Sequence, residues 1–229
     1  MNQVAKEKKY QVFISSTYED LKEERAAVSQ ALLDLGCIPV GMEQFPASGM
    51  SQMEYIKKML EACDYYILIL AGRYGSADPT DGIGFTEKEY DYAISKGIPV
   101  MSFLFEDIGK LPANKCENSD TQRAALERFR RKVSANKIIR KYSSKEDLMH
   151  AVSVSMFQCI KNYPAVGWIR ADDVDTDSDP ETRFDEYTKA HTVTKEKNEA
   201  LFGEKRPARS RPTFRVEPNE AGGNTLFIE

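Results

Sequence analysis

Between residues 10 and 163, short β-rich runs and helix-patterned runs alternate five times, and few folds accept that order. Parallel strands need crossovers of a dozen or more residues, so each strand is expected to be followed by a helix that carries the chain back. The first run, Tyr10 to Ser15, precedes a helical pattern with Leu21, Val28, Leu32 and Leu35 on one face, stopped by Gly36. Cys37 to Gly41 reads as strand two. A loop from Met42 to Met50 leads to a helix carrying Met53, Ile56, Met59, Leu60 and Cys63. Tyr65 to Leu70 is apolar at every position, as suits a central parallel strand covered on both faces. A helix from about Glu87 to Lys96, closed by Gly97, runs into strand four, Ile98 to Phe105. Leu126, Phe129 and Val133 mark helix four, Asn136 to Tyr142 is strand five, and Lys145 to Asn162 is helix five. The expected fold is α/β and flavodoxin-like: a five-stranded parallel sheet of order 2-1-3-4-5 with helices on both faces.

Composition narrows the function classes. The chain has 229 residues, with Lys+Arg 32 against Asp+Glu 36 and a formal net charge of -4, which makes nucleic acid an unlikely partner. The longest strongly apolar run, Tyr65 to Ala71, is far short of the roughly 20 residues that span a bilayer, and Met1 to Lys9 is polar where a signal peptide is apolar. A cytoplasmic protein without membrane attachment is expected. Cys37, Cys63, Cys116 and Cys159 show no C-x-x-C spacing, and only His150 and His191 are present, so no metal site is expected. Residues 9–165 are expected to form the domain. Residues 166–229, with an acidic run from Asp172 to Glu181 followed by a basic, proline-broken stretch, are expected to be a largely disordered tail.

In sheets of this order, ligands bind at the carboxyl ends of the strands, where the order switches between strands one and three. Two loops should flank that crevice. Ser15, Ser16, Thr17 and Tyr18 present consecutive hydroxyls at the start of helix one, and Arg73 and Tyr74 lie between Gly72 and Gly75. Neither loop matches a P-loop or a dinucleotide fingerprint. Ser16-Thr17-Tyr18-Glu19 and Thr86-Glu87-Lys88-Glu89 both fit the capping box S/T-x-x-E, as do Ser51 to Glu54 and Ser143 to Glu146. On spacing alone, Glu89 reads as a helix cap.

The segments YQVFISSTYEDLKEER, GMEQFPASGMSQMEYIKKMLEACDYYILIL and AGRYGSADPTDGIGFTEKEYDYAISKGIPV resemble the TIR-like domain of unknown function 4062, a relative of Toll/interleukin-1 receptor domains common in bacterial defence and signalling proteins. The resemblance covers about residues 9 to 165, and FTEKEYDYAISKGIPV is its most specific part. It implies a TIR-like fold and, in catalytic members, cleavage of the nicotinamide–ribose bond of NAD⁺ as substrate, with no further cofactor, by a glutamate on the helix after strand three. Glu89, Ala93, Gly97 and Ile98-Pro99-Val100 satisfy that pattern, and Glu87 is out of register. The resemblance further implies that Ser15, Ser16, Thr17 and Tyr18 cradle the nucleotide. Phe45 falls in the segment matching the mobile BB loop, through which such domains form homo-oligomers. Tyr74, Tyr18 or Phe45 would stack on a base and Arg73 would meet the pyrophosphate. The tryptophan-cysteine pair that precedes the glutamate in many TIR enzymes is replaced by Phe85 and Thr86.

Three functions are therefore open: an NAD⁺ nucleosidase, hydrolase or cyclase, in prokaryotic antiviral defence, activated by self-assembly or a partner protein; a non-catalytic interaction module; and a nucleoside deoxyribosyltransferase-like enzyme. A basic stretch from Arg123 to Lys141, with the single acid Glu127, reads as a solvated face or as a dock for the acidic run.

Overall fold

The computed structural model describes residues 7–41, 51–135, 138–170, 214–218 and 224–228. Strands β1 (Gln11–Ser15), β2 (Ile38–Val40), β3 (Tyr65–Leu70), β4 (Val100–Phe105) and β5 (Arg140–Tyr142) form one sheet in the order 2-1-3-4-5. Every neighbouring pair in it is parallel, with Val12 opposite Tyr65 and Tyr66 opposite Val100 in the register around β3. The connecting helices are α1 (Lys22–Asp34), α2 (Gln52–Ala62), α3 (Phe85–Ser95), α4 (Asp120–Ser134) and α5 (Lys145–Asn162). Strands β6 (Phe214–Pro218) and β7 (Asn224–Ile228) pair antiparallel with each other.

The period-two geometry of β3 divides the core. Tyr65, Ile67 and Ile69 point to one side, where Val28 and Leu32 of α1 and Leu148, Val152 and Met156 of α5 cover them. Tyr66, Leu68 and Leu70 point to the other, against Ile56 and Leu60 of α2, Tyr90 and Ala93 of α3, and Leu126, Phe129 and Val133 of α4. All six strand residues are buried. The expected three-layer sandwich is thus the fold, and the apolar faces read from helical spacing are the packed ones. Leu35, placed with them from the sequence, is instead 37% exposed, because α1 has ended before it.

Beyond α5 the chain is tied back to the start of the sheet. Lys9 and Trp168 exchange both backbone hydrogen bonds, at 2.8 and 2.7 Å, and Asp64 receives the backbone N–H groups of Gln11 and Gly167. Part of the basic stretch is used within the domain. Arg130 donates to the backbone carbonyls of Ala71 and Phe105, Lys132 pairs with Glu87 and Asp91, and Arg123 pairs with Asp120. Among the described residues, no helix is long and apolar enough to cross a membrane.

Three of the four expected capping boxes differ from expectation. Ser51 and Glu54 cap α2 reciprocally, as expected, and α5 is capped one residue later than expected, by Ser144 accepting from the Asp147 N–H. Helix α1, however, starts at Lys22 after Leu21, and α3 starts at Phe85 after Gly84, neither with a side-chain cap. Ser16 and Glu89 are engaged in tertiary contacts instead. The packing makes a direct stability statement. Leu68→Ala should cost about 3 kcal/mol in urea unfolding, because it empties a fully buried site, whereas Leu33→Ala, at a 54% exposed position, should change stability by less than about 0.5 kcal/mol.

Candidate functional site

Beyond the carboxyl ends of β1 and β3 the chain leads on to β2 on one side and to β4 on the other, and a cleft of about 590 Å³ opens beside them. Its walls come from the β1–α1 loop (Ser16, Thr17, Asp20), the loop after β3 (Arg73, Gly75), the start of α3 (Phe85, Thr86) and the segment Cys116 to Asn118. These are the two loops expected from the topology, joined by a third segment that follows β4.

Local chemistry holds each wall. Arg25 falls on the stripe of α1 that contains Leu21, Val28 and Leu32, and it is buried with them. Its Nη1 donates to the Ile14 carbonyl at 3.2 Å and to Ser16 Oγ at 2.9 Å, while Ser16 Oγ donates to the Thr17 carbonyl at 2.7 Å. A guanidinium thus fixes the hydroxyl loop from beneath. The loop after β3 is clamped to the post-β4 segment: Gly72 bridges Cys116, and a Cβ at position 72 would collide with the Lys115 carbonyl. Gly75 sits at φ +85°, and a Cβ there would come within 2.7 Å of Thr17 Cγ2. Both positions require glycine, one for close approach and one also for its backbone conformation. Glu117 completes the clamp by accepting the backbone N–H groups of Tyr74 and Gly75 at 2.7 and 3.1 Å.

Glu89 lies on α3 with no exposed surface and accepts a short hydrogen bond from Ser15 Oγ, at the last residue of β1. Thr86, one turn earlier, and Ser16, next to Ser15, reach the cleft. The carboxylate is therefore enclosed immediately behind the cleft wall, with Ser15 as its link toward it. Tyr66, buried beside the pair, has its pKa pushed well above 10 by burial and then by the charge of Glu89.

Of the residues singled out from the sequence, Ser16, Thr17, Tyr18 and Arg73 line the cleft. Tyr18 is half exposed beneath the Lys22 ammonium, and Arg73 Nη2 donates to the Asn114 carbonyl. Ser15 is buried against Glu89. Tyr74 is a correction: its ring is 4% exposed and packs edge-on against Phe129, so it offers no stacking face. Its hydroxyl donates to Glu87 at 2.6 Å and accepts from the Gly84 N–H, and burial followed by the Glu87 hydrogen bond raises its pKa. Glu87, which also accepts from Lys132 Nζ, belongs to this structural group. Phe45 and the rest of residues 42–50 lie outside the described residues. No group of three or more His, Cys, Asp or Glu side chains is placed to hold a metal among the described residues.

Residues 11–156 match the model of a domain of unknown function, DUF4062. The chain belongs to this family. No curated protein matches it.

Sequence reasoning missed Asp20, Arg25 and Glu117. Arg25 was legible as a charge on an apolar helix stripe, whereas Glu117 reaches its site from 42 residues away and carried no local signal. Asp20 is 4% exposed, lines the cleft, and has no hydrogen-bond partner on either carboxylate oxygen. Burial raises its pKa above the ordinary 3.8, and the neighbouring Thr17 hydroxyl and the charges of Arg73 and Lys115 act against that rise. A carboxyl whose folded pKa lies above its unfolded pKa favours the folded state at low pH, and that advantage is lost as pH rises through the folded value. Asp20→Asn should therefore gain stability relative to wild type between about pH 4 and pH 7, read as a widening difference in melting temperature; a constant difference would show that Asp20 is solvated normally.

Proposed function

We propose that this chain is a TIR-like enzyme that cleaves the nicotinamide–ribose bond of NAD⁺, with Glu89 as its catalytic carboxylate. The observation that carries the reading is the placement of Glu89: a buried carboxylate on the helix after β3, bonded to the last residue of β1, at the crevice where the strand order switches. Its alternative role as a helix cap is gone, because α3 begins at Phe85 and has no side-chain cap.

The chemistry suits a single carboxylate. Nicotinamide leaves as a neutral base from a positively charged pyridinium, so no general acid is needed. Positive charge develops on the ribose in an oxocarbenium-like transition state, and a preorganised carboxylate in a water-poor site stabilises it. Water or another nucleophile then takes the ribose carbon, giving ADP-ribose or its cyclic form. Ser15 holds Glu89 in position, and its hydroxyl must turn away for the carboxylate to face substrate. Ser16, Thr17 and Tyr18 supply hydroxyls along the cleft, and Arg73 supplies a cation for the phosphates. Activation by self-assembly through the segment around Phe45, or by a partner protein in an antiviral defence pathway in the cytoplasm, belongs to the same reading.

One observation favours a second reading, a non-catalytic interaction module: Glu89 is fully enclosed, and its bond to Ser15 ties α3 to β1 as a structural brace would. NAD⁺ turnover by wild type and Glu89→Gln, at high protein concentration, separates the two. Glutamine still accepts the Ser15 hydrogen bond through its amide oxygen, so the fold should survive. A loss of about 100-fold or more, roughly 2.7 kcal/mol of barrier lowering, is expected. Equal turnover would remove Glu89 from the mechanism, and turnover by neither would favour the module.

A further inference from the structure

We propose that Asp20 is the sugar-recognition residue of the cleft, its two carboxylate oxygens receiving the adjacent hydroxyls of a ribose 2′,3′-diol and excluding a 2′-phosphate. The inference rests on the reading of the cleft as a nucleotide site and deepens it.

A carboxylate buried without hydrogen bonds loses its hydration and gains nothing in return, and native proteins rarely tolerate that. Asp20 is 96% buried by its 4% exposure, has both oxygens unpartnered, and stands in the cleft wall. Beside it the Thr17 hydroxyl, which acts on Asp20 from outside ordinary hydrogen-bond distance, is likewise buried, as is Arg73 Nε. Arg73 and Lys115 act on Asp20 through space, but each is engaged elsewhere: Arg73 Nη2 on the Asn114 carbonyl, Lys115 Nζ on Glu24 at 3.0 Å.

Those neighbours also select the ligand. Burial disfavours the ionised form of Asp20 and the charges of Arg73 and Lys115 favour it; that form is acceptor-only, so the group complementary to it donates hydrogen bonds. The same two cations disfavour a cationic donor at this point, and the described residues place no ligand set for a metal ion. A pair of neutral hydroxyls remains. Two vicinal hydroxyls match two carboxylate oxygens, the arrangement by which an acidic residue reads the ribose of a dinucleotide in other α/β sheets. Glu19 and Glu117 in the same walls add negative charge, so a phosphate on the 2′-oxygen would meet repulsion.

The test is equilibrium titration of the full chain with NAD⁺, NADP⁺, adenosine and 2′-deoxyadenosine, using wild type, Asp20→Asn and Glu89→Gln. Wild type should prefer NAD⁺ over NADP⁺ and adenosine over 2′-deoxyadenosine, each by about 10- to 100-fold. Asp20→Asn should lose most of both preferences while keeping its fold by thermal melting, and Glu89→Gln should keep both. The wild-type preferences need no variant, so their absence overturns the inference even should Asp20→Asn fail to fold. An Asp20→Asn protein that retains both preferences also overturns it, leaving Asp20 as a buried structural acid. NAD⁺ cleavage that depends on Glu89 but is blind to Asp20 sinks this inference alone. Adenosine discrimination through Asp20 without NAD⁺ binding supports it while sinking the NAD⁺-cleaving reading. No binding of any of the four ligands sinks both.

Discussion

Strand β3 has no residue that water reaches, and the rest of the domain is arranged to keep it so. A strand buried on both faces needs neighbours on both edges and helices on both sides, and β1, β4 and the two helical layers supply them. Because its neighbours are parallel, every strand in the sheet ends at the same side. The loops that leave β1, β3 and β4 therefore converge, and the cleft is a by-product of how an apolar strand is hidden. Function and stability are separated along one strand direction: the packed layers lie along the strands and the polar chemistry lies beyond their carboxyl ends.

That separation explains where polar groups become buried. Ser15, Ser16, Asp20, Arg25, Thr86, Glu87 and Glu89 sit toward the carboxyl end of the sheet, each largely withdrawn from water, while Ser102 is buried within β4 itself. Two of the acids are matched locally, Glu87 by Tyr74 and Lys132, and Glu89 by Ser15. Arg25 is matched by the Ile14 carbonyl and Ser16. Such matching is what makes burial tolerable, since an unmatched polar group in a low-dielectric interior costs more than a typical hydrogen bond returns. Asp20 stands apart from this set because it lines the cleft wall with both carboxylate oxygens buried and without a protein hydrogen bond.

The fold was legible because it rests on periodicity, which is local. The alternation of strand and helix patterns placed all five strands in the right order, and the helical stripes at Ile56 and Leu60, at Leu126, Phe129 and Val133, and at Leu148, Val152 and Met156 are the buried ones. Among the described residues of strand five, Arg140 to Tyr142 pair with β4 and Ile138 and Ile139 lie outside the strand, while Asn136 and Lys137 fall outside the described residues. The caps failed for a physical reason. Ser-x-x-Glu reports what a chain does when its only alternative is water, and it held at Ser51 on an exposed helix end. At Ser16 and Glu89 the competing partners were Arg25 and Ser15, brought from elsewhere by the sheet, and tertiary bonds won over local ones. Tyr74 failed in the same way. A tyrosine in a glycine loop suggests an exposed ring, but Phe129 and Glu87 gave it both an apolar contact and a hydrogen bond.

The clamp by Glu117 bears on what the cleft can hold. Successive backbone N–H groups at Tyr74 and Gly75 form the kind of concavity that binds anions, and glycine-rich loops after parallel strands often serve phosphate in that way. Here the Glu117 carboxylate fills it, so the donors that a phosphate would use are spent inside the protein. The same contact locks the β3 loop to the segment after β4, which keeps Gly75 against Thr17 and fixes the distance between the two walls. The cleft is thereby left with acceptors, Asp20 and Glu19 among them, without the Tyr74 and Gly75 backbone donors, and with Arg73 as the cation within its walls. A ligand that fits such a surface donates hydrogen bonds along one edge and carries negative charge only where Arg73 can meet it. A sugar hydroxyl edge with a phosphate at one end has that pattern, whereas a ligand gripped mainly by its phosphates does not.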